Sequence, residues 1–518
     1  MPDFAESQLR RSIVVQFGAP LVSYISGVEV DEADTFTDEI PGNLVLALEK
    51  LNELRIEAAV RGQDLPSLVS WAALGGLFEE MRRDLGGQLF ELKSDDPVVQ
   101  SLRFVLCGLS TLMLTAPYLY AGTSFPLGFA MVSVFDKEVA SAFRQSLEAD
   151  PALRGLIISE RDSYNDSEDN KLYNELRSDF AASSFLQSLL SSCYITARFR
   201  RTTSLLEIGV VARELLDSAR EACSTGYANV SYFSVIKDIG LAAGFEWKNL
   251  YFYQLTDLYH DILRPENRPA IGGDSGQIMA FALEVRHRRQ YVKGADPASG
   301  ALTSNALPED AVGLERQLQS VPLAIALATG HAGRRVWAAV ADPRHGALPF
   351  SSSADRPVSY GGLLDASSQR EIIHWLNLLD ELSRTKLNVA EHRLMSALSE
   401  RSQPADQLID AVIVWEALFG GDVELSFRIS MGMAFLIGAE PEEIESIRKQ
   451  CLRLYTARSK LVHGSSGADN PAITENADQA TDLALRAMRA IYRDAPELIK
   501  VESKERTRTA ISRRMASP

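Results

Sequence analysis

The stretch Leu454-Tyr455-Thr456-Ala457-Arg458-Ser459-Lys460-Leu461-Val462-His463-Gly464 carries an arginine and a histidine on one helical segment. Arginine brings a permanent planar cation that grips phosphate. Histidine is the side-chain type that gives and takes protons near neutrality. Those are the groups that RNA scission calls for. RNA supplies its own nucleophile, the 2'-hydroxyl, so a catalyst must remove that proton, stabilise the pentacoordinate phosphorus and protonate the leaving 5'-oxygen. His463 suits the proton transfers, Arg458 suits the charge on the phosphoryl oxygens, and the scheme needs no metal and no cofactor.

Helical geometry constrains the pair. Five residues of separation rotate His463 roughly 140° away from Arg458, so the two do not share a face. Gly464 is a natural residue for the left-handed position that ends a helix. That would leave His463 at the terminus, free to turn toward Arg458 or toward a second subunit, and a two-fold pairing would build one cleft from two copies of the segment. Charge agrees locally. The chain carries a formal net charge of -16, which argues against a surface coated by nucleic acid. From Arg448 through Lys449, Arg453 and Arg458 to Lys460, however, every charged residue is basic. Arg453, Ser459 and Lys460 are the candidate RNA contacts; cations favoured by a helix C-terminus are the plain alternative.

The elements around this segment read as a helical bundle. Leu408, Ile409, Val412, Ile413, Glu416 and Phe419 recur at helical spacing, which puts Glu416 on an apolar stripe. A carboxylate there needs a partner, and Arg428 or Arg458 are the candidates. A second helix is expected from near Glu424 to Gly438. Pro441 then opens a third, acidic at Glu442-Glu443 and basic toward its end, and a last one runs from about Asn476 to Tyr492.

Taken together, Tyr455, Arg458-Ser459-Lys460, the apolar Leu461-Val462 and His463-Gly464 resemble the signature of the HEPN superfamily, most closely its Apea-like branch. Ile413 to Phe419, Glu424 to Arg428 and Ala434 to Gly438 resemble the preceding helices of that family in order and spacing. The resemblance covers about the last quarter of the chain. It implies a metal-independent endoribonuclease with Arg458 and His463 catalytic, Glu416, Arg428 and Tyr455 supporting, and products ending in a 2',3'-cyclic phosphate. It further implies a homodimer formed through the bundle, with a role in bacterial anti-phage or stress defence under control of a ligand sensed by the N-terminal region. The alternative is a non-catalytic dimerisation or adaptor module.

Length and composition bound the rest. The 518 residues hold roughly three domains at about 150 residues each, and 46% hydrophobic content is that of packed globular structure. The expected fold class is mainly α: a helical N-terminal domain over 1–225, a mixed α/β or irregular middle region over 226–367, an antiparallel HEPN-like bundle over 368–495 and a basic, disordered tail over 496–518. Helices are expected at Asn43 to Gly62, Leu65 to Leu85, Leu172 to Leu190 and Thr203 to Cys223. Strands are expected at Gln277 to Val285 and Arg335 to Val340, with linkers at Gly294 to Ala311 and Asp342 to Ser368. Cys107, Cys193, Cys223 and Cys451 lie far apart, which indicates neither a disulfide framework nor a zinc site. With an acidic N-terminus lacking an apolar core, a cytoplasmic home is expected. Phe104 to Tyr120 sits in an uncharged stretch reaching Met131 and beyond; its interrupting Gly, Pro, Ser and Thr residues favour a buried core helix over a membrane span. Arg198 to Arg201 and Arg286 to Lys293 mix cations with aromatics, as an RNA surface does, or as ion-pair partners of an acidic protein do. The acidic loop Asp162 to Asn170 lacks the turn glycine and terminal glutamate of a calcium loop.

Overall fold

The computed structural model describes residues 4–30, 40–115, 137–156, 168–200, 205–255, 271–272, 277–293, 302–303, 308–342, 346–351, 362–382, 385–421, 424–463 and 471–516, apart from Gly75, Phe90 and Lys93. The chain is mostly helical, with an antiparallel sheet in the middle. Ten helices precede the sheet among the described residues: Phe4–Phe17 (α1), Ala19–Ser26 (α2), Gly42–Arg61 (α3), Leu65–Leu74 (α4), Leu77–Asp84 (α5), Pro97–Ser101 (α6), Arg103–Met113 (α7), Lys137–Ala149 (α8), Glu168–Phe199 (α9) and Leu205–Thr225 (α10). The single helix expected over Leu65 to Leu85 is broken at Gly76, whose φ of 77° a residue with a Cβ adopts poorly. The apolar segment after Arg103 forms α7, whose Val105, Leu106, Leu109 and Leu112 are buried in the helical core. No described helix is long and apolar enough to cross a membrane. Residues 116–136 and most of the acidic loop lie outside the described residues.

The middle region is far more regular than its composition suggests. Six strands, Tyr227–Lys237 (β1), Phe245–Trp247 (β2), Leu250–Gln254 (β3), Ala280–Gln290 (β4), Arg334–Asp342 (β5) and Gly346–Ser351 (β6), form an antiparallel sheet in the order β6-β5-β1-β4-β3-β2. The two expected strands are there as β4 and β5. The central strand β1 and the helix Pro308–Thr329 (α11) were not foreseen, and the expected linkers shrink accordingly: Pro308 already opens α11, and β6 lies inside the segment Asp342 to Ser368. The physical reason is that both faces of the sheet are covered. In β4, Ala280 and Ala282 join one core while Phe281, Leu283 and Val285 join the other. Such strands read as continuous apolar runs without the polar alternation that marks a half-buried sheet.

One core holds α1 to α10 against the first face, so helices and sheet pack as one unit across the boundary expected at 225. Phe199, at the end of α9, stacks on Phe233 of β1 with ring centroids 4.9 Å apart. The second core joins the other face to α11 and to the C-terminal helices Ala366–Glu381 (α12), Asn388–Met395 (α13), Pro404–Phe419 (α14), Leu425–Ile437 (α15), Pro441–Val462 (α16) and Pro471–Arg493 (α17). The last four match the expected helices, with Pro404 and Pro441 in the first turns of α14 and α16; α12, not expected individually, is capped by the Asp365 carboxylate, which accepts from the Ser368 N–H at 2.8 Å. Gly432 permits the close approach of α15 to α14, since a Cβ there would lie 2.5 Å from the buried Phe419 ring.

The tail departs from expectation. Instead of disorder it forms Glu497–Lys500 (α18) and Ser503–Ala516 (α19), and α19 buries Arg506, Thr507 and Ala510 against the bundle. Its basic composition belongs to the outer face and hid a packed inner one.

A buried polar cluster ties the first helical layer to the sheet. Glu284 of β4 is fully buried and accepts from Arg200 Nη2 at 2.8 Å, Ser231 Oγ at 2.6 Å and the Tyr253 hydroxyl at 2.7 Å. Burial alone would raise its pKa; the Arg200 guanidinium and the two hydroxyls outweigh that and bring it to about 2. A carboxylate depressed in the folded state stabilises the fold above its unfolded pKa, and that contribution disappears as pH falls through the folded value. Between pH 5 and 2 the protein is expected to lose stability on the order of 3 kcal/mol from this group alone. Thermal unfolding measured across that range checks it: Glu284→Gln should give a visibly shallower decline, and an unchanged slope would assign the acid sensitivity elsewhere.

Candidate functional site

Helix α16 opens with Pro441 and Glu442-Glu443 and delivers its cations to the far end, as the helix dipole favours. Leu454 and Cys451 anchor its inner face in the bundle core. On the neighbouring half-buried strip lies Arg458, whose Nη2 stands 3.6 Å from Glu416 Oε2 of α14. Side-chain exposures of 22% and 23% put the pair at the bundle edge, short of full burial and short of bulk solvent. Tyr455, one turn earlier, faces the same carboxylate. Burial raises its pKa first, the charge of Glu416 and a hydrogen bond to it add to that, and Arg458 opposes. The Nε of Arg458 is buried and has no hydrogen-bond partner. Of the two candidate partners for Glu416, the geometry selects Arg458. Arg428 instead lies over Gly421, where a Cβ would come within 3.0 Å of its Nε, and that Nε is also without a partner.

His463 is where the helix ends. Its backbone N–H closes the last turn on the Ser459 carbonyl at 3.1 Å, and its side chain is exposed. Among the described residues it makes no hydrogen bond or ion pair, and it does not meet Arg458. Helical rotation instead sets it over Thr456 and Lys460. Gly464 lies outside the described residues, so the left-handed stop expected there is not part of the observed geometry. Thr456 and Lys460, with Arg453, Asn476 and Ile473, line a groove of about 480 Å³ between α16 and α17. The basic run is thereby divided. Arg448 and Lys449 share the single charge of Glu445, whose pKa the Arg448 hydrogen bond draws down to about 2. Arg453 is held by the neutral amides of Asn476, at 2.8 Å, and Gln479, so its charge is not cancelled. Lys460 and Ser459 make no side-chain bond among the described residues.

The residue that sequence reasoning missed is Arg506. Fully buried in α19, it donates from Nε to the carbonyls of Leu498 and Val501 at 2.9 Å each, and from Nη1 to those of Ala417 at 3.2 Å and Leu418 at 3.3 Å. Ala417 and Leu418 follow Glu416 in the last turn of α14, where helical carbonyls lack partners of their own and a cation is favoured. Beside it, Thr507 Oγ1 donates to the Arg428 carbonyl at 3.2 Å. The C-terminal helix thus fastens both segments that flank the Arg458–Glu416 pair. Only the apolar i, i+4 spacing of Arg506 and Ala510 hinted at this, and charge obscured it.

Several cations of the other basic clusters are bound within the protein. Arg198 donates to the Tyr194 hydroxyl, Arg200 to Glu284 and Glu214, Arg286 to Glu284 and Arg289 to Asp342. These bonds are those of ion-pair partners in an acidic protein, while Arg288 stays largely exposed. Among the described residues no group of His, Cys, Asp and Glu is arranged to hold a metal ion. The four cysteines form no disulfide, and burial pushes the Cys193 and Cys451 thiols up to about 12. Compared with known proteins, the chain matches no family model, no curated protein and no solved structure.

Arg506→Ala removes a buried charge whose carbonyl partners have no substitute donors. Urea unfolding is expected to report a loss of about 3 kcal/mol or more, with Arg506→Lys losing less; wild-type stability in the alanine variant would mean that α19 does not brace α14.

Proposed function

We propose that the C-terminal bundle is a metal-independent endoribonuclease of HEPN type, cutting RNA by attack of the 2'-hydroxyl. The observation that carries this reading is the preorganised guanidinium of Arg458, braced by Glu416 beside Tyr455 at the bundle edge, one and a half turns from an exposed, uncommitted His463. Arg458 stabilises charge on the phosphoryl oxygens, and His463 moves protons to or from the 2'- and 5'-oxygens. Because helical rotation keeps the two apart on one chain, the productive arrangement is a homodimer in which each copy completes the other's site. Arg453, Ser459 and Lys460 contact the flanking phosphates. The biological setting we infer from the family resemblance is bacterial anti-phage or stress defence, with the N-terminal region receiving the signal.

A second reading has its own observation. An arginine already paired with a carboxylate, and a histidine on another face, also suit a dimerisation or adaptor bundle without catalysis. The two separate cleanly. Incubated with single-stranded RNA in excess EDTA, the wild type should leave 2',3'-cyclic phosphate and 5'-hydroxyl ends and spare a substrate with a 2'-deoxy scissile position. His463→Ala should lower the rate about 10²- to 10⁴-fold and Arg458→Ala about 10²- to 10³-fold with folding and self-association intact. Intact RNA in every lane, or equal cleavage by all three proteins, favours the adaptor.

A further inference from the structure

Between the second face of the sheet and the bundle lies a cavity of about 730 Å³, the size of a small-molecule site. Its floor is apolar, with Ile236 of β1, Leu283 of β4 and Leu318 and Leu323 of α11. Three irregularities converge on it. Ser234, in the floor, is fully buried and its hydroxyl has no hydrogen-bond partner. Pro322 interrupts α11 and has no N–H to give the Leu318 carbonyl one turn back. The opposite wall continues α13 into a π-helical turn, Ser396–Glu400, a rare geometry that local packing alone seldom selects. Polar groups left short of partners in an apolar wall are costly unless something occupies the space and satisfies them.

The charges say what that occupant is. Arg335 stands at the rim on the sheet side, and Glu391 and Glu400 stand on the bundle side. Opposite signs on facing walls orient a molecule with a cation at one end and an anion at the other; a nucleotide, whose only charge is the negative one of its phosphate, has no cation for the two carboxylates. Asn388, exposed at the rim, offers the amide donor and acceptor that a peptide group needs. We propose that this cavity binds a short apolar peptide with free termini, its ammonium toward Glu391 and Glu400, its carboxylate toward Arg335 and its side chains on the apolar floor.

The site is wired to the candidate ribonuclease residues. Next in sequence to the wall residues His392 and Glu400, Arg393 and Arg401 both bind the buried Asp410 of α14, the helix that carries Glu416. Occupancy that shifts the π-helical wall therefore bears on α14 and on the Arg458–Glu416 pair; this coupling rests on the function proposed above, whereas binding does not.

Calorimetric titration of the full-length protein with the tripeptide Leu-Ala-Leu, its N-acetylated and C-amidated form, L-leucine and AMP tests the proposal. Saturable binding of the free tripeptide is expected, with the blocked form, L-leucine and AMP each at least ten-fold weaker. Glu400→Gln, at an exposed position that folding tolerates, should weaken the tripeptide several-fold. No binding of the tripeptide, equal binding of the blocked form or L-leucine, or preference for AMP overturns the site. RNA cleavage with and without saturating tripeptide then reads the coupling: a rate change of several-fold supports it, and an unchanged rate overturns it. A wild type that binds the tripeptide and never cuts RNA refutes the ribonuclease and leaves the peptide site standing.

Discussion

A sheet buried on both faces demands a helical layer on each side, and that demand organises this molecule. Strand β4 shows it residue by residue, with alanines toward the N-terminal helices and Phe281, Leu283 and Val285 toward the bundle. On the first face the alanines alternate with larger side chains, and Phe199 of α9 stacks on Phe233 and packs against Trp337. The cavity beneath α11 and α13 lies where the second face meets the bundle.

Buried charge follows the same economy. The chain has more carboxylates than cations, and most of the carboxylates taken into the interior are met by arginines. Glu284 gathers Arg200 and Arg286, Asp342 gathers Arg289, Asp238 gathers Arg334, and Asp410 gathers Arg393 and Arg401. Each carboxylate joins elements distant in sequence. A pair left with one member would forfeit far more than the intact pair contributes, because the survivor keeps its desolvation without its partner. These clusters therefore fix how layers meet more than they add to net stability.

Legibility of the sequence tracks this division. The bundle helices were readable because each carries its own local signals: a proline in the first turn of α14 and α16, acidic residues ahead of basic ones, apolar residues at helical spacing. Glu416 stood out because a carboxylate on an apolar stripe needs a counter-charge, and the fold supplies Arg458. Strand β1 was not readable, since Phe233-Ser234-Val235-Ile236 has no polar alternation once both sides are covered. Helix α19 was misread for the opposite reason: its composition is that of a solvated tail, and the bonds that make it part of the fold run from Arg506 to backbone carbonyls, which no pattern of side chains announces.

Arg506 also explains why the Arg458–Glu416 pair can sit at an edge and still be ordered. An ion pair with roughly a fifth of each side chain exposed gains little from Coulomb attraction alone, because water screens it. Its geometry must be imposed by the backbone on either side. On the α16 side, Leu454 and Cys451 do so by burial. On the α14 side the helix is about to end, and its last carbonyls would fray into solvent without donors. The buried guanidinium of Arg506 provides them, at Ala417 and Leu418. Burial lowers the Arg506 pKa, as expected of a cation withdrawn from water with only carbonyl dipoles for company. The protein thus uses one desolvated arginine to hold another in place.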